Sequence, residues 1–359
     1  MTWQGLEGHD VVVERFRRAL RRGRLASTFL FVGPAGIGKR AFAEKLAQSL
    51  LCSEVHPREL APCGRCTSCL QVEALTHPDL HIVEKPPDKS TIPLSLFVGD
   101  EARRMREGLC HDIALKPFMG GRRVAIIDDA DDLNEESANC LLKTLEEPPP
   151  CSILILIGTS PDKQLPTIRS RCQTIRFRPL TNELVAEILR SRGVATDSDQ
   201  ARRMAEFSGG SLQQAQDLAD EELWTFRQQL LRALSGPRFE SVALAQSLGG
   251  FVDAAGKEAS ARRARSRQLI AFAADFYRQM LRAQSGLASG GDAELIHAVE
   301  QARSTWPHDF EAAAGCLDRS LEALAHIDRN ANQATLLECW LDDLARIVET
   351  GQPLAAAGQ

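Results

Sequence analysis

Apolar residues in the first half of the chain come in short β-branched runs separated by stretches of helical period. Val12, Phe16 and Leu20 recur every fourth residue and predict a helix ending at Gly23. Thr28–Val32 reads as a buried strand, followed by a Gly-rich turn and a helix running through Leu51. Leu80–Val83, Val124–Ile127 and Ser152–Ile157 are further short apolar runs bounded by polar, Gly or Pro residues. Asn134–Leu145 has helical spacing and is stopped by Pro148-Pro149-Pro150. Strands alternating with helices predict an α/β fold with a parallel sheet covered on both faces.

Beyond Pro179 the strand-like runs vanish and Ala- and Leu-rich helical periods follow one another. Ser208-Gly209-Gly210-Ser211 separates two helices, and the Gly/Ser-rich patch Ser285–Gly291 reads as a loop. Leu337, Trp340, Leu341, Leu344 and Val348 line one face of an amphipathic helix. These shifts divide the chain into an α/β domain over 1–178, a small helical domain over 179–225 and an all-α domain over 226–359. The tail Pro353–Gln359 is expected to be disordered.

Composition narrows the function classes. With 43 Lys+Arg against 48 Asp+Glu, the net charge of −5 argues against a free-standing nucleic-acid binder. Aromatic residues are scarce (14 Phe, 4 Trp and the lone Tyr277), so base stacking on exposed rings is not the expected main activity. Local basic runs exist, at Arg15, Arg17, Arg18, Arg21, Arg22 and Arg24 and again at Arg262, Arg263, Arg265 and Arg267. Each could face phosphates or an acidic partner, and a solvated helix face is an equally good reading. The strongest apolar run, Ile153–Ile157, is far too short to span a bilayer. The opening MTWQGLEGHD lacks a charged segment leading into an apolar one, so a cytoplasmic chain with reduced thiols and no membrane partner is expected.

Candidate chemistry sits at three places. Gly33-Pro-Ala-Gly36-Ile-Gly38-Lys39 follows the Thr28–Val32 strand and opens a helix, the context a phosphate-binding loop requires. Glycines there let backbone N–H groups turn towards phosphate oxygens, the helix N-terminus adds its dipole, and Lys39 reaches for the terminal phosphates. A Gly-rich turn with no ligand is the plainer reading, but the flanking strand and helix weigh against it. The next residue, Arg40, stands where Ser or Thr would ligate Mg²⁺, and a guanidinium cannot ligate a cation. ATP with Mg²⁺ is therefore doubtful, and hydrolysis should suffer more than binding.

The second place is Val124-Ala-Ile-Ile127-Asp128-Asp129, a buried strand ending in carboxylates, as in a Walker B motif. Asp128 takes the Mg²⁺-holding position and Asp129 the position of the base that polarises water, one methylene shorter than the usual Glu. Alone, a solvated strand-to-helix turn would be the better reading; beside the phosphate loop it is not. The third place is C-x₁₀-C-x₂-C-x₂-C, formed by Cys52, Cys63, Cys66 and Cys69 with Gly64 in the turn. Four thiolates at this spacing suit tetrahedral Zn²⁺ with no open position, so a structural site is expected. Cys110, Cys140, Cys151, Cys172, Cys316 and Cys339 are scattered and expected to serve as small core hydrophobes.

Together these residues resemble the AAA+ clamp-loader family of bacterial DNA polymerase III, nearest its delta-prime branch. The resemblance rests on the phosphate loop, the four-cysteine insertion after its helix and His77-Pro78-Asp79. It rests equally on Leu142-Lys143-Thr144-Leu145-Glu146-Glu147-Pro148-Pro149 and on Leu165-Pro-Thr-Ile-Arg-Ser170-Arg171-Cys172. It is dense over the first 180 residues and later rests on Gly209-Gly210-Ser211-Leu212 and on Asn330-Ala331-Asn332 leading to Leu337-Glu338. It implies an AAA+ domain with a zinc module, a helical lid and a C-terminal collar. It further implies a hetero-oligomeric ring with gamma/tau-like and delta-like subunits that loads a sliding clamp onto primed DNA, within the DNA polymerase III holoenzyme. Arg171 in Ser170-Arg171-Cys172 would be an arginine finger acting in trans, and Thr159, just past the Ser152–Ile157 run, would sense the γ-phosphate. Motor subunits of the family need a hydroxyl at the Arg40 position and an arginine at the position of Gln213. Their absence favours a non-motor subunit with little ATPase of its own. The competing readings are an active gamma/tau-like motor or another AAA+ replication or repair ATPase, and a zinc-containing interaction module with a relic phosphate loop.

Overall fold

Strand and helix alternate along the first part of the chain as the apolar spacing predicts. The computed structural model describes residues 3–352 apart from 88, 105, 120, 257, 289, 307–309 and 330, so Asn330 and the tail from Pro353 onward lie outside the described residues. The order begins α1 (Asp10–Arg21), β1 (Thr28–Val32), α2 (Lys39–Leu51), α3 (Thr67–Glu73) and β2 (Leu80–Val83). It continues α4 (Ser95–Val98), α5 (Leu109–Ala114), β3 (Arg123–Ile127), α6 (Glu135–Glu146) and β4 (Ser152–Gly158). After α7 (Pro166–Arg171) and β5 (Gln173–Arg176), three helices follow, α8 (Asn182–Ser191), α9 (Ser198–Phe207) and α10 (Leu212–Asp217).

Among the described residues five strands form one parallel sheet in the order β2-β3-β4-β1-β5. The apolar runs predict four of these. The fifth, β5, is a short edge strand with only Ile175 buried, so no continuous apolar run marks it. The alternation Ile175-Arg176-Phe177-Arg178 is the signal it does carry.

Successive residues of a strand face opposite sides, which sorts the core into two layers. Phe29, Phe31, Val124, Ile126, Ile153, Ile155 and Ile157 pack beneath α1 and α2 through Phe16, Phe42 and Leu46. Leu30, Val32, Ala125, Ile127, Leu154 and Leu156 pack beneath α5, α6 and α7 through Ile113, Leu141, Leu145 and Ile168. The chain therefore leaves β1 towards one face and leaves β3 and β4 towards the other. In an open parallel sheet, such a reversal opens a crevice at the carboxyl ends of the strands, here beside β1 and β4.

Two compact units result, Met1–Asp217 and Leu218–Gln359. The second is helical, with α11 (Glu221–Leu234), α12 (Ser241–Asp253), α13 (Ala259–Gln284), α14 (Ala293–Thr305), α15 (Phe310–Asp328) and α16 (Gln333–Thr350). The predicted stripe on α16 is buried, and the Trp340 indole donates to Ser320 Oγ at 3.2 Å. The loop predicted at Ser285–Gly291 lies between α13 and α14. No helix among the described residues is long and apolar enough to cross a membrane.

Several members of both arginine runs lie on helices and have local acidic partners. On α1, Val12, Val13, Phe16 and Leu20 are buried while Arg17 and Arg18 pair with Glu14. On α13, Arg265 pairs with Asp220 at 2.8 Å and lies over the Phe251 ring, and Arg262 pairs with Asp253. The expectation that the scattered cysteines are core hydrophobes needs correcting. Cys172 and Cys316 are buried, but Cys151 and Cys339 are exposed, and Cys110 and Cys140 bring their sulfurs to 3.6 Å at the α5–α6 contact.

Candidate functional site

The phosphate loop runs from the end of β1 into α2. Gly36 has φ +73°, and a Cβ there would lie 2.2 Å from Ser211 Oγ, so only glycine fits where the segment entering α10 closes on the loop. Leu212 N–H donates to Gly36 O at 3.1 Å, fixing that closure. Lys39 is buried, and its ammonium donates to the Gly33 and Pro34 carbonyls, each at 2.6 Å. Burial lowers its pKa, an effect that Asp128, Asp131 and Asp129 partly offset.

Arg40 occupies the ground between the loop and the ends of the next two strands. Its Nε donates to Glu44 at 2.9 Å, and its Nη1 donates to Glu84, just past β2, and to Asp128, just past β3, at 3.2 Å. Burial pulls its pKa down, but Glu84 and Glu44 more than compensate and hold it raised, so it is a fixed positive charge. Mg²⁺, which the phosphate loop and acidic strand end imply, does not fit these residues. The hydroxyl ligand is missing, and the carboxylate that should hold the ion is already paired with a cation.

The acidic strand end holds more carboxylates than the two predicted. Asp129 has φ +51° and a pKa raised by burial and by Asp128 beside it. Asp131, which the motif reading missed, is the organising group. Its Oδ2 accepts the Thr159 N–H at 2.8 Å and the Thr159 hydroxyl, and its Oδ1 accepts Gln164 Nε2 at 2.8 Å. Thr159 thus sits at the end of β4 as expected, with its hydroxyl bound to Asp131. The third acid in Asp128-Asp129-Ala130-Asp131 was the available signal. Together Gly36, Lys39, Arg40, Asp128, Asp131, Thr159 and Gln213 line one cleft of about 690 Å³.

Arg171 lies outside that cleft, at the C-terminal end of α7. Its guanidinium donates to Thr167 O at 3.0 Å and to Glu146 at 3.3 Å, and its carbonyl accepts from Thr28 Oγ1 at 2.7 Å. Backbone and side chain are thus anchored to β1 and α6, while the side chain stays about a third exposed (31%).

The four predicted cysteines converge between α2 and α3, with their sulfurs all within 4.8 Å of one another. The Cys52–Cys66 and Cys63–Cys69 separations are both 3.9 Å. A tetrahedron with metal–sulfur bonds of about 2.3 Å has edges of about 3.8 Å, so the set is ready-made for a tetrahedral ion. Backbone N–H groups point at the sulfurs, from Val55 to Cys52, from Cys66 to Cys63 and from Cys69 to Cys66, at 3.3–3.4 Å. Such donors favour thiolates: against the upward push of burial, Ser53 and the Cys69 N–H bring the Cys66 pKa down to about 6, and that of Cys52 is lowered too, whereas burial pushes the Cys69 thiol up. Among the described residues this is the one cluster whose donor set could hold a metal such as zinc.

His77-Pro78-Asp79 explains itself structurally. Asp79 is fully buried, pairs with Arg123 at 3.4 Å and accepts the Phe118 and Met119 N–H groups at 2.7 and 2.9 Å. The His77 ring in turn accepts the Asp79 N–H.

Residues 8–181 match the family model described as DNA polymerase III, delta subunit. DNA polymerase III subunit delta' of Pseudomonas aeruginosa is 40% identical over 151 residues, 42% of this chain and 43% of that one. The Bacillus subtilis delta' subunit is 33% identical over 184 residues, 51% of this chain and 52% of that one. These matches support a delta-prime-type clamp-loader subunit of DNA polymerase III. The tau/gamma subunit of Haemophilus influenzae is 29% identical over 226 residues, 62% of this chain and 31% of that one. The chain thus spans about half the length of the curated delta-prime relatives it matches. The fold itself is an α/β phosphate-loop unit with a five-stranded parallel sheet and a four-cysteine module, followed by a helical unit.

Proposed function

We propose that this chain is a delta-prime-like subunit of a DNA polymerase III clamp loader, with little or no ATPase of its own. It supports ATP-dependent loading of a sliding clamp onto primed DNA by lending Arg171 to ATP held by a neighbouring gamma/tau-like subunit. The observation that carries this reading is the contrast between two arginines. Arg40 pairs with the carboxylate needed for a catalytic cation, while Arg171 is anchored to Thr28, Thr167 and Glu146, partly exposed and outside its own cleft. A guanidinium so placed can stabilise charge on a transferring phosphoryl group from across a subunit boundary.

In this reading residues 1–178 are the AAA+ domain with a structural Zn²⁺ on Cys52, Cys63, Cys66 and Cys69, residues 179–225 the lid and residues 226–359 the collar. Gly33, Gly36, Gly38 and Lys39 keep the form of a phosphate cradle, and Asp129 occupies a base position that does little work. The setting is cytoplasmic, and delta-like and gamma/tau-like subunits are the partners.

The test is Arg171→Ala in a loader reconstituted from all its subunits. DNA-stimulated ATP turnover at the affected site is expected to fall by about 10³-fold or more, as for other arginine fingers. Assembly of the complex, read by gel filtration, should persist. Undiminished turnover and clamp loading with the variant would sink the trans-acting role.

A further inference from the structure

The cleft between β1, β3 and β4 contains a cation that belongs to the chain itself. In a cleft of this kind the catalytic ion is held by the hydroxyl after the loop lysine and by the first acid of the strand end. Here the residue after Lys39 is Arg40, and that first acid, Asp128, accepts a hydrogen bond from its guanidinium at 3.2 Å. Glu84 and Glu44 hold the same guanidinium from two other directions. β2 and β3 are parallel neighbours, with Val83 opposite Ile127, so Glu84 and Asp128 leave the sheet side by side. Arg40 thus puts a fixed positive charge among Glu44, Glu84 and Asp128 and occupies the carboxylates that would attract a divalent ion, leaving the cluster less negative but not neutral. Gly36, Gly38 and Lys39 line the same cleft, with the Lys39 ammonium resting on the Gly33 and Pro34 carbonyls.

We propose that Arg40 is a built-in replacement for the divalent cation, so that this cleft takes the phosphates of a nucleoside di- or triphosphate without metal. The inference rests on reading the loop as a phosphate cradle, and it adds the metal independence. A nucleotide bound here serves as a fixed structural ligand: without a divalent ion to polarise the γ-phosphate it stays unhydrolysed.

The test uses the full chain, titrated with a fluorescent ADP and a fluorescent non-hydrolysable ATP analogue, in excess Mg²⁺ and again in EDTA. For the natural sequence the two affinities should agree within about twofold. Arg40→Thr frees Asp128 and supplies a hydroxyl, so it should bind at least about tenfold tighter in Mg²⁺ than in EDTA. Arg40 lies at the cleft surface, and Arg40→Gln, which loses the charge but keeps hydrogen bonds, serves if the threonine variant misfolds. Mn²⁺ binding followed by electron paramagnetic resonance, without nucleotide, gives a separate readout. The natural chain should leave Mn²⁺ free, and Arg40→Thr should bind it. Nucleotide binding at least about tenfold tighter in Mg²⁺ for the natural chain, or Mn²⁺ binding equal in both chains, overturns the proposal. If neither chain binds nucleotide while Mn²⁺ binding appears only in the variant, the cation replacement stands and the phosphate-cradle reading fails.

Discussion

At the scale of single residues, the site is governed by charges whose partners lie far away in the sequence. Asp79 is the clearest example. It carries no substrate chemistry, yet it ties the start of β2 to the loop that leads into β3, through Arg123 and two backbone N–H groups. Removing one partner of a buried ion pair strands the other, which costs about 3–5 kcal/mol. Asp79→Ala should therefore destabilise the sheet unit by that amount, seen as faster hydrogen exchange of the β2 and β3 amides with no change in the helices of the second unit. Protection unchanged in both strands would mean that the pair contributes little. The same logic explains why Arg40 and Asp131 went unread as a network. Arg40 is conspicuous as a departure from a motif, but Glu84 is not marked by any pattern, and Asp131 looks like one more acid in a polar turn.

At the scale of elements, the cysteine module is the part least able to hold itself together. Between the end of α2 and the end of α3 the chain has a three-residue 3₁₀ turn and a seven-residue helix, too short to be stable alone. Its order comes from the sulfur cluster, from Gln48 Nε2 donating to Cys69 O at 3.0 Å and from the Trp3 indole donating to Leu60 O at 2.7 Å. Purified protein should contain about one zinc per chain by elemental analysis. Cys63→Ser should lose the metal and become open to proteolysis around Ser53–Arg65, with β1 to β4 still protected. A metal-free natural protein whose proteolysis pattern ignores chelator would refute the tetrathiolate site. Spacing alone made this module legible, because its ligands are close in sequence and a short loop brings them together. β5 was not legible in the same way, because an edge strand with one buried residue is recognised only once β1 is beside it.

For the molecule as a whole, acidity should act on the sheet unit through its buried histidines. His9, which donates from Nε2 to Ile37 O, and His77 both have pKa values lowered below 6.5, and burial is the largest cause in each. His81, half-buried beside Asp112 and Arg123, is lowered for the same main reason. A histidine held neutral in the folded state binds fewer protons than in the unfolded chain as pH falls below about 6.5. Their contribution to stability is therefore complete above that pH and is lost as pH drops through the folded-state values. Thermal melts of the full chain should show the sheet unit's transition falling between neutral pH and about pH 5, and His9→Gln and His77→Gln should flatten that slope. An unchanged slope in the double variant would assign the acid sensitivity to other groups. The net charge of −5 gains a structural context at this scale: several members of both arginine runs are matched by nearby acids.

What the sequence determined by itself was whatever depends on short range. It set the strand runs and their helices, the glycine loop opening α2, the cysteine quartet and the acidic end of β3, since each is encoded by residues within a turn or two of one another. Tertiary structure alone decided which charges meet. Only the parallel register of β2 and β3 brings Glu84 beside Asp128, only the pairing of β3 with β4 sets Thr159 on Asp131, and only the packing of α6 and α7 leaves Arg171 on Glu146, away from its own cleft. Those pairings join residues 28 to 44 positions apart in the first two cases and 25 in the third, too far for any local pattern to record.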